Sequence, residues 1–208
     1  MKNKIPSAFK DSLSFDWWKY LISFLAICVC WYYVYKTKDA LKDYEIISIY
    51  SIAALKETDF SSGLLKIHEG HGIEQIDFNS IGDDNYTETL LQSKAFLDGD
   101  LLLVYDKYVD DVVKAKSYPF SIGFVNEIKA ISPNISFLEY GGSSIGIKVY
   151  GIDDDQYNSK LFVNSIFDFK ENTYLFINKS SSNANLDLNS KYGSCAFESF
   201  LYLLKGIE

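Results

Sequence analysis

Nineteen consecutive residues, Trp17 to Tyr35 (WWKYLISFLAICVCWYYVY), carry one charge, Lys19, placed near their edge. A helix of that length rises about 28 Å, close to the hydrocarbon thickness of a bilayer. Trp17, Trp18 and Tyr20 lie at one end and Trp31, Tyr32, Tyr33 and Tyr35 at the other. Such amphipathic rings favour the two lipid–water interfaces. A cleaved leader would need a shorter apolar core and small residues at its end. Here Asp11 and Asp16 interrupt the leading lysines, and the run ends in bulky aromatics. A lipidated cysteine would need a small residue before it, yet Ile27 precedes Cys28 and Val29 precedes Cys30. The segment therefore reads as an uncleaved single transmembrane helix over residues 17–36, in contact with lipid.

Lys2, Lys4, Lys10, Lys19 and the amino terminus precede the span, and Lys36, Lys38 and Lys42 follow it. The positive-inside bias then places residues 1–16 in the cytoplasm. Residues 37–43 read as a linker and 44–208 as an extracytoplasmic domain. Beyond the span, 16 lysines face 26 acidic residues, a formal net charge of −10. That balance excludes nucleic acid as a partner. With Cys28 and Cys30 in the span, only Cys195 belongs to the domain, so no disulfide staples it. Roughly 165 residues must close around an ordinary hydrophobic core, enough for one domain.

Apolar runs and helical stretches alternate through the first half. Tyr44 to Ile52 reads as a strand, Thr58–Glu69 as a helix and Ile73–Phe78 as a second strand. Tyr86–Leu97 reads as a helix ended by Gly99, Leu101–Tyr105 as a strand buried on both faces, and Lys107–Lys116 as a helix. This order predicts an α/β domain, three layers deep, with a mostly parallel sheet. The second half is richer in strands: Ile135–Glu139 and Ile145–Tyr150 around the turn Tyr140-Gly-Gly-Ser-Ser, then Leu161–Phe169 and Thr173–Asn178. Ser180–Ser190 reads as a flexible polar loop, and Cys195–Leu204 as a final helix.

The stretch Tyr86-Thr-Glu-Thr-Leu-Leu-Gln-Ser-Lys-Ala-Phe-Leu-Asp-Gly-Asp-Leu-Leu-Leu-Val-Tyr105 resembles the helix, Gly-Asp loop and apolar strand of extracytoplasmic solute-binding proteins of the periplasmic-binding type. Gly141 to Val149 is similar to the segment with which such proteins enter their cleft, and Tyr174 to Asn183 to a late strand and loop. The resemblance covers about two-thirds of the domain. It implies one lobe of that fold, because the chain is too short for two. A single lobe cannot surround a small solute, which argues against small-molecule capture and for docking on another protein.

In open α/β sheets the binding edge lies at the carboxyl ends of the strands. That rule selects Tyr50, Ser51, Asn79, Ser80 and Asp106 as candidate binding residues. His68-Glu-Gly-His71 holds both histidines of the chain. Their spacing is not the four residues of helical zinc hydrolases, and Gly70 separates them. They read as solvated groups at a polar helix end, with a weak metal site as the alternative. Asp153-Asp-Asp155, with Gln156 and Asn158, lacks the alternation of a calcium loop and reads as a solvated acidic turn. Asp83-Asp84 and Asp110-Asp111 read likewise. Cys195 reads as a buried core thiol, far in sequence from either histidine; a thiol activated by a helix amino terminus is the alternative.

No cofactor is implied. The leading expectation is a non-catalytic, membrane-anchored binding protein, accessory to a membrane-protein partner such as a transporter or cell-envelope complex. A receptor or immunity-type protein for a protein ligand is the alternative, and a metal-dependent envelope enzyme the third.

Overall fold

The computed structural model describes residues 17–38, 41–56, 60–154, 160–184 and 194–206. The expectations for residues 1–16, for part of the linker, for Asp155, Gln156 and Asn158, and for residues 185–190 fall outside them. The chain divides into two units, Met1–Leu41 and Lys42–Glu208. In the first, α1 (Trp17–Lys38) is one uninterrupted helix. Its stretch Trp17–Lys36 has a mean hydropathy of 1.3 with none of its side chains buried, long and apolar enough to cross a membrane.

The second unit begins with β1 (Ile46–Ser51), β2 (Ala54–Leu55), α2 (Phe60–Ile67) and β3 (Gln75–Ser80). Next, α3 (Thr87–Leu90) continues through a π-helical turn (Leu91–Ala95) into α4 (Phe96–Asp98), which leads to β4 (Leu101–Tyr105). Then come α5 (Asp111–Lys116), α6 (Ile122–Ile131), β5 (Phe137–Tyr140) and β6 (Ser143–Tyr150). The chain closes with α7 (Val163–Ile166), β7 (Phe167–Asp168), β8 (Thr173–Ile177) and α8 (Cys195–Lys205).

Six strands form one sheet in the order β3-β1-β4-β8-β6-β5, and β2 pairs with β7 apart from it. The α/β class holds. The expectation of a mostly parallel sheet does not, because the sheet is mixed: β3, β1 and β4 run parallel, but β8, β6 and β5 add antiparallel. The reason is local. Gly141 and Gly142 sit at φ +60° and +80°, the left-handed pair of a two-residue hairpin turn, and Tyr140 pairs Ser143 across it. Parallel strands need a long crossover, whereas this turn returns the chain at once. The run Leu161–Phe169 is also not one strand. It forms α7 and the two-residue β7, with Val163, Ile166 and Phe167 all fully buried.

Pairing register sets the two faces of β1 and β3. Ile47 and Ile49 lie beside Ile76 and Phe78 on one face; Ser48 and Tyr50 lie beside Asp77 and Asn79 on the other. The apolar face meets α2 through Phe167, whose ring lies 5.3 Å from Phe78 and 6.1 Å from Phe60. The hydroxyl of Tyr202 on α8 donates to the Phe60 carbonyl at 3.4 Å, joining α8 to α2. The polar face is left open near the β3 edge, beside Tyr50, Asp77 and Asn79.

Central packing is tight enough to test. Gly146 of β6 pairs with Phe176, which is fully buried, and a Cβ at Gly146 would meet two atoms of its ring at 2.6 Å. Gly146→Ala is expected to cost about 1–3 kcal/mol through overpacking. A urea midpoint unchanged from the parent would show that the ring swings aside freely.

Candidate functional site

Both histidines and the domain's cysteine meet, although more than 120 residues of chain separate them. Two local devices bring this about. After α2 the backbone turns sharply, with the His71 N–H donating to the His68 carbonyl at 2.9 Å and Gly70 and Gly72 at φ +92° and +84°. On α8, Cys195, Glu198 and Ser199 stand at i, i+3 and i+4 and so share one helix face in the first turn and a half.

The contacts are specific. His68 Nε2 lies 2.7 Å from Ser199 Oγ. Glu198 Oε2 lies 3.4 Å from His68 Nδ1 and 3.3 Å from His71 Nδ1. Cys195 Sγ lies 4.0 Å from His71 Nδ1. His68, His71 and Cys195 each offer a donor atom, all within 4.8 Å of one another. The expectation of solvated histidines is therefore corrected: His68 is fully buried, because the glycine turn folds it back against α8. Only His71 and Glu198 face outward.

Burial sets the protonation states here. It lowers the pKa of His68, with Glu198 opposing and His71 assisting. It pushes the Cys195 thiol up to about 12, with help from the Glu198 and Asp100 charges. Cys195 is buried, as its apolar helix suggested, and with no metal bound burial favours its thiol form over a dipole-activated thiolate.

The second place is a cavity of about 370 Å³ on the polar face of β1 and β3, lined by Ser48, Tyr50, Asp77, Asn79 and the turn Leu97–Asp100. Asp43, Asp77, Asp98 and Asp100 make it acidic. Asp98 and Asp77 raise the Tyr50 pKa, after burial itself. One wall is a buried polar knot. Asp100 accepts from the Ser48 N–H at 2.8 Å, from the Ser181 hydroxyl, and from Asn183 Nδ2 at 3.3 Å. Asn183 also donates to the Ile46 carbonyl at 2.8 Å, and Asn178 Nδ2 to the Gly99 carbonyl at 2.7 Å. Ser181 and Asn183 thereby correct the expectation of a flexible loop at its start. They are buried and fastened, since an acidic group as enclosed as Asp100 requires donors.

The five residues chosen by the carboxyl-end rule do not share a surface. Tyr50 and Asn79 pair across β1 and β3 and line the cavity. Ser51 and Ser80 pair on the opposite face, where buried Ser51 donates to the Ala53 carbonyl at 3.1 Å. Asp106 is exposed in a short 3-10 turn after β4. At that end Lys107 bridges Asp83 and Glu171 at 2.9 Å each, and the Tyr108 hydroxyl donates to Asp83 at 2.7 Å. The hydrogen bonds from Tyr108 and then Lys107 hold the Asp83 carboxyl below its ordinary pKa. The acidic pairs act as fasteners here. Asp110 caps α5, accepting from the Val113 N–H at 2.8 Å.

No protein family, no curated protein and no solved structure matches this chain. The Cys195–Glu198–Ser199 spacing was the one signal that could have drawn Cys195 to the histidines. Residues at i, i+3 and i+4 share a helix face, but nothing in the sequence says what that face meets.

Proposed function

We propose that the chain is a membrane-anchored, non-catalytic binding protein, with α1 crossing the bilayer and the Lys42–Glu208 unit working outside the cytoplasm. The observation that carries this reading is α1, a 20-residue apolar stretch edged by aromatics and with no buried side chain. The lysines before the span support a cytoplasmic amino terminus. The likeness to one lobe of a solute-binding protein supports a role as accessory to a membrane complex, such as a transporter or envelope assembly. The acidic cavity beside Tyr50 and Asn79 suits a partner surface that presents positive charge.

The test is purification of the tagged full-length chain from native membranes in mild detergent, with mass spectrometry of what accompanies it. The chain is expected to resist an alkaline wash of the membranes and to bring down a multi-pass protein in stoichiometric amount. A well-folded chain recovered alone would overturn the accessory role. A chain found in the soluble fraction, cut after α1, would overturn the anchor.

A further inference from the structure

We infer that His68, His71 and Cys195, with Glu198 beside the two histidines as the carboxylate able to complete the set, form a site for a divalent ion of the zinc class, fastening the turn after α2 to the first turn of α8. Two imidazoles, a thiol and a carboxylate are the donor types that tetrahedral zinc accepts. Calcium and magnesium, which want six or more oxygens, do not fit this set.

The spacing agrees with one coordination sphere. Bonds of about 2.0–2.1 Å to nitrogen and oxygen, and about 2.3 Å to sulfur, give tetrahedral edges of about 3.3–3.4 Å between N and O and about 3.6 Å between N and S. The corresponding separations are 3.3 and 3.4 Å for Glu198 to the two histidines and 4.0 Å for Cys195 to His71. The donor atoms of His68, His71 and Cys195 lie within 4.8 Å of one another, so drawing them onto one ion needs adjustments of up to about an ångström, for which the partly exposed His71 and Glu198 side chains have room.

An independent observation points the same way. His68 is wholly enclosed and its Nδ1 has no partner in good hydrogen-bond geometry, the nearest acceptor being Glu198 Oε2 at 3.4 Å, while its Nε2 is held by Ser199 Oγ at 2.7 Å. A ligating histidine characteristically has its second nitrogen tied to an outer partner, leaving the first as a bare lone pair. Burial also favours the neutral imidazole that ligation requires. The ion would displace the Cys195 proton to solvent and bind the thiolate, a change that metal charge supplies where burial alone resists it. His71 and Glu198, about 40% and 36% exposed, leave an entry path. With Glu198 turned in as the fourth ligand the sphere is closed, the structural pattern; a catalytic zinc keeps one position open.

The test uses the full-length protein in detergent, stripped with a chelator and titrated with Co²⁺ as a spectroscopic stand-in, then with Zn²⁺. One equivalent of Co²⁺ should bring up a thiolate-to-metal charge-transfer band and the visible bands of a tetrahedral ion, and Zn²⁺ should displace it. Cys195→Ser should abolish the charge-transfer band, whereas Cys28→Ser with Cys30→Ser should keep it. His71→Ala, at a partly exposed position that leaves the core intact, should weaken Zn²⁺ binding at least about 10-fold. Zinc at 100 times its Kd should raise Tm by about 5–10 °C. A band absent from the parent protein, a band surviving Cys195→Ser, or unchanged affinity in His71→Ala would each overturn the site. None of these readouts depends on a membrane partner.

Discussion

Replacing Phe200 with alanine is expected to destabilise the domain by about 3–5 kcal/mol, the range for emptying a fully buried aromatic position. Phe200 is wholly inaccessible and its ring lies 5.4 Å from both Phe120 and Phe124. Phe124 in turn meets Phe197 edge-on at 4.9 Å, and Phe197 meets Tyr118 at 5.2 Å. These edge-to-face contacts add to plain area burial. They are what holds α6 against α8, so the cavity left by Phe200→Ala would open at the helix that also carries Cys195 and Glu198. Urea unfolding gives the readout: the midpoint should fall sharply while the slope stays close to that of the parent. A loss below 1 kcal/mol would mean that the neighbouring rings collapse into the space, and that this cluster is not what secures α8.

The same helix shows how far the sequence could be read. Cys195 to Leu204 was legible as a helix because Phe197, Phe200, Leu201 and Leu204 recur at helical spacing, and the observed bounds are Cys195–Lys205. Leu101–Tyr105 was legible as a doubly buried strand because no polar residue interrupts it, and all five residues are buried. The membrane-length helix announced itself by composition. Where the reading failed, tertiary contacts had overridden local pattern. Leu161–Phe169 is apolar enough for a strand, yet it bends into α7 so that Ile166 and Phe167 can fill the core. α6 escaped notice because Pro119 and Gly123 punctuate its start, although Ser121 caps it by accepting from the Phe124 N–H at 3.2 Å.

The candidate sites were less legible than the fold, for a physical reason. Strand ends can be named from a sequence, but which face each residue takes depends on register. Tyr50 and Asn79 share the polar face while their neighbours Ser51 and Ser80 share the other. The histidine–cysteine cluster lies further still from local signal, since it exists only because α2 and α8 pack together. Asp100 illustrates the opposite case. In the sequence it is only the acid of the Gly-Asp loop, and the fold alone reveals it as the centre of a buried knot.

Asp100 also carries a pH prediction with a definite sign. Burial raises its pKa from the usual carboxylate value to about 6, against the opposing hydrogen bonds from Ser181, Ser48 and Asn183. A carboxyl with a folded pKa above its unfolded one binds more protons when folded, so its ionisation penalises the fold. That penalty is fully present above about pH 6 and disappears as pH falls towards 4. His68, whose pKa is lowered by burial, runs the other way below its ordinary value. The parent protein alone would therefore mix the two, and comparison with Asp100→Asn separates them, because His68 is common to both. The stability of the parent relative to Asp100→Asn should rise by about 1 kcal/mol from pH 7.5 to 5.5, and by about 2–3 kcal/mol by pH 4. Asp83 does not intrude on this difference, since its lowered pKa acts at more acid pH and equally in both proteins. Parallel urea-unfolding curves for the two proteins across this range would show that Asp100 ionises as freely in the fold as in water. The knot at the cavity wall would then be open to solvent, and the donors around Asp100 would serve an exposed carboxylate instead of a buried one.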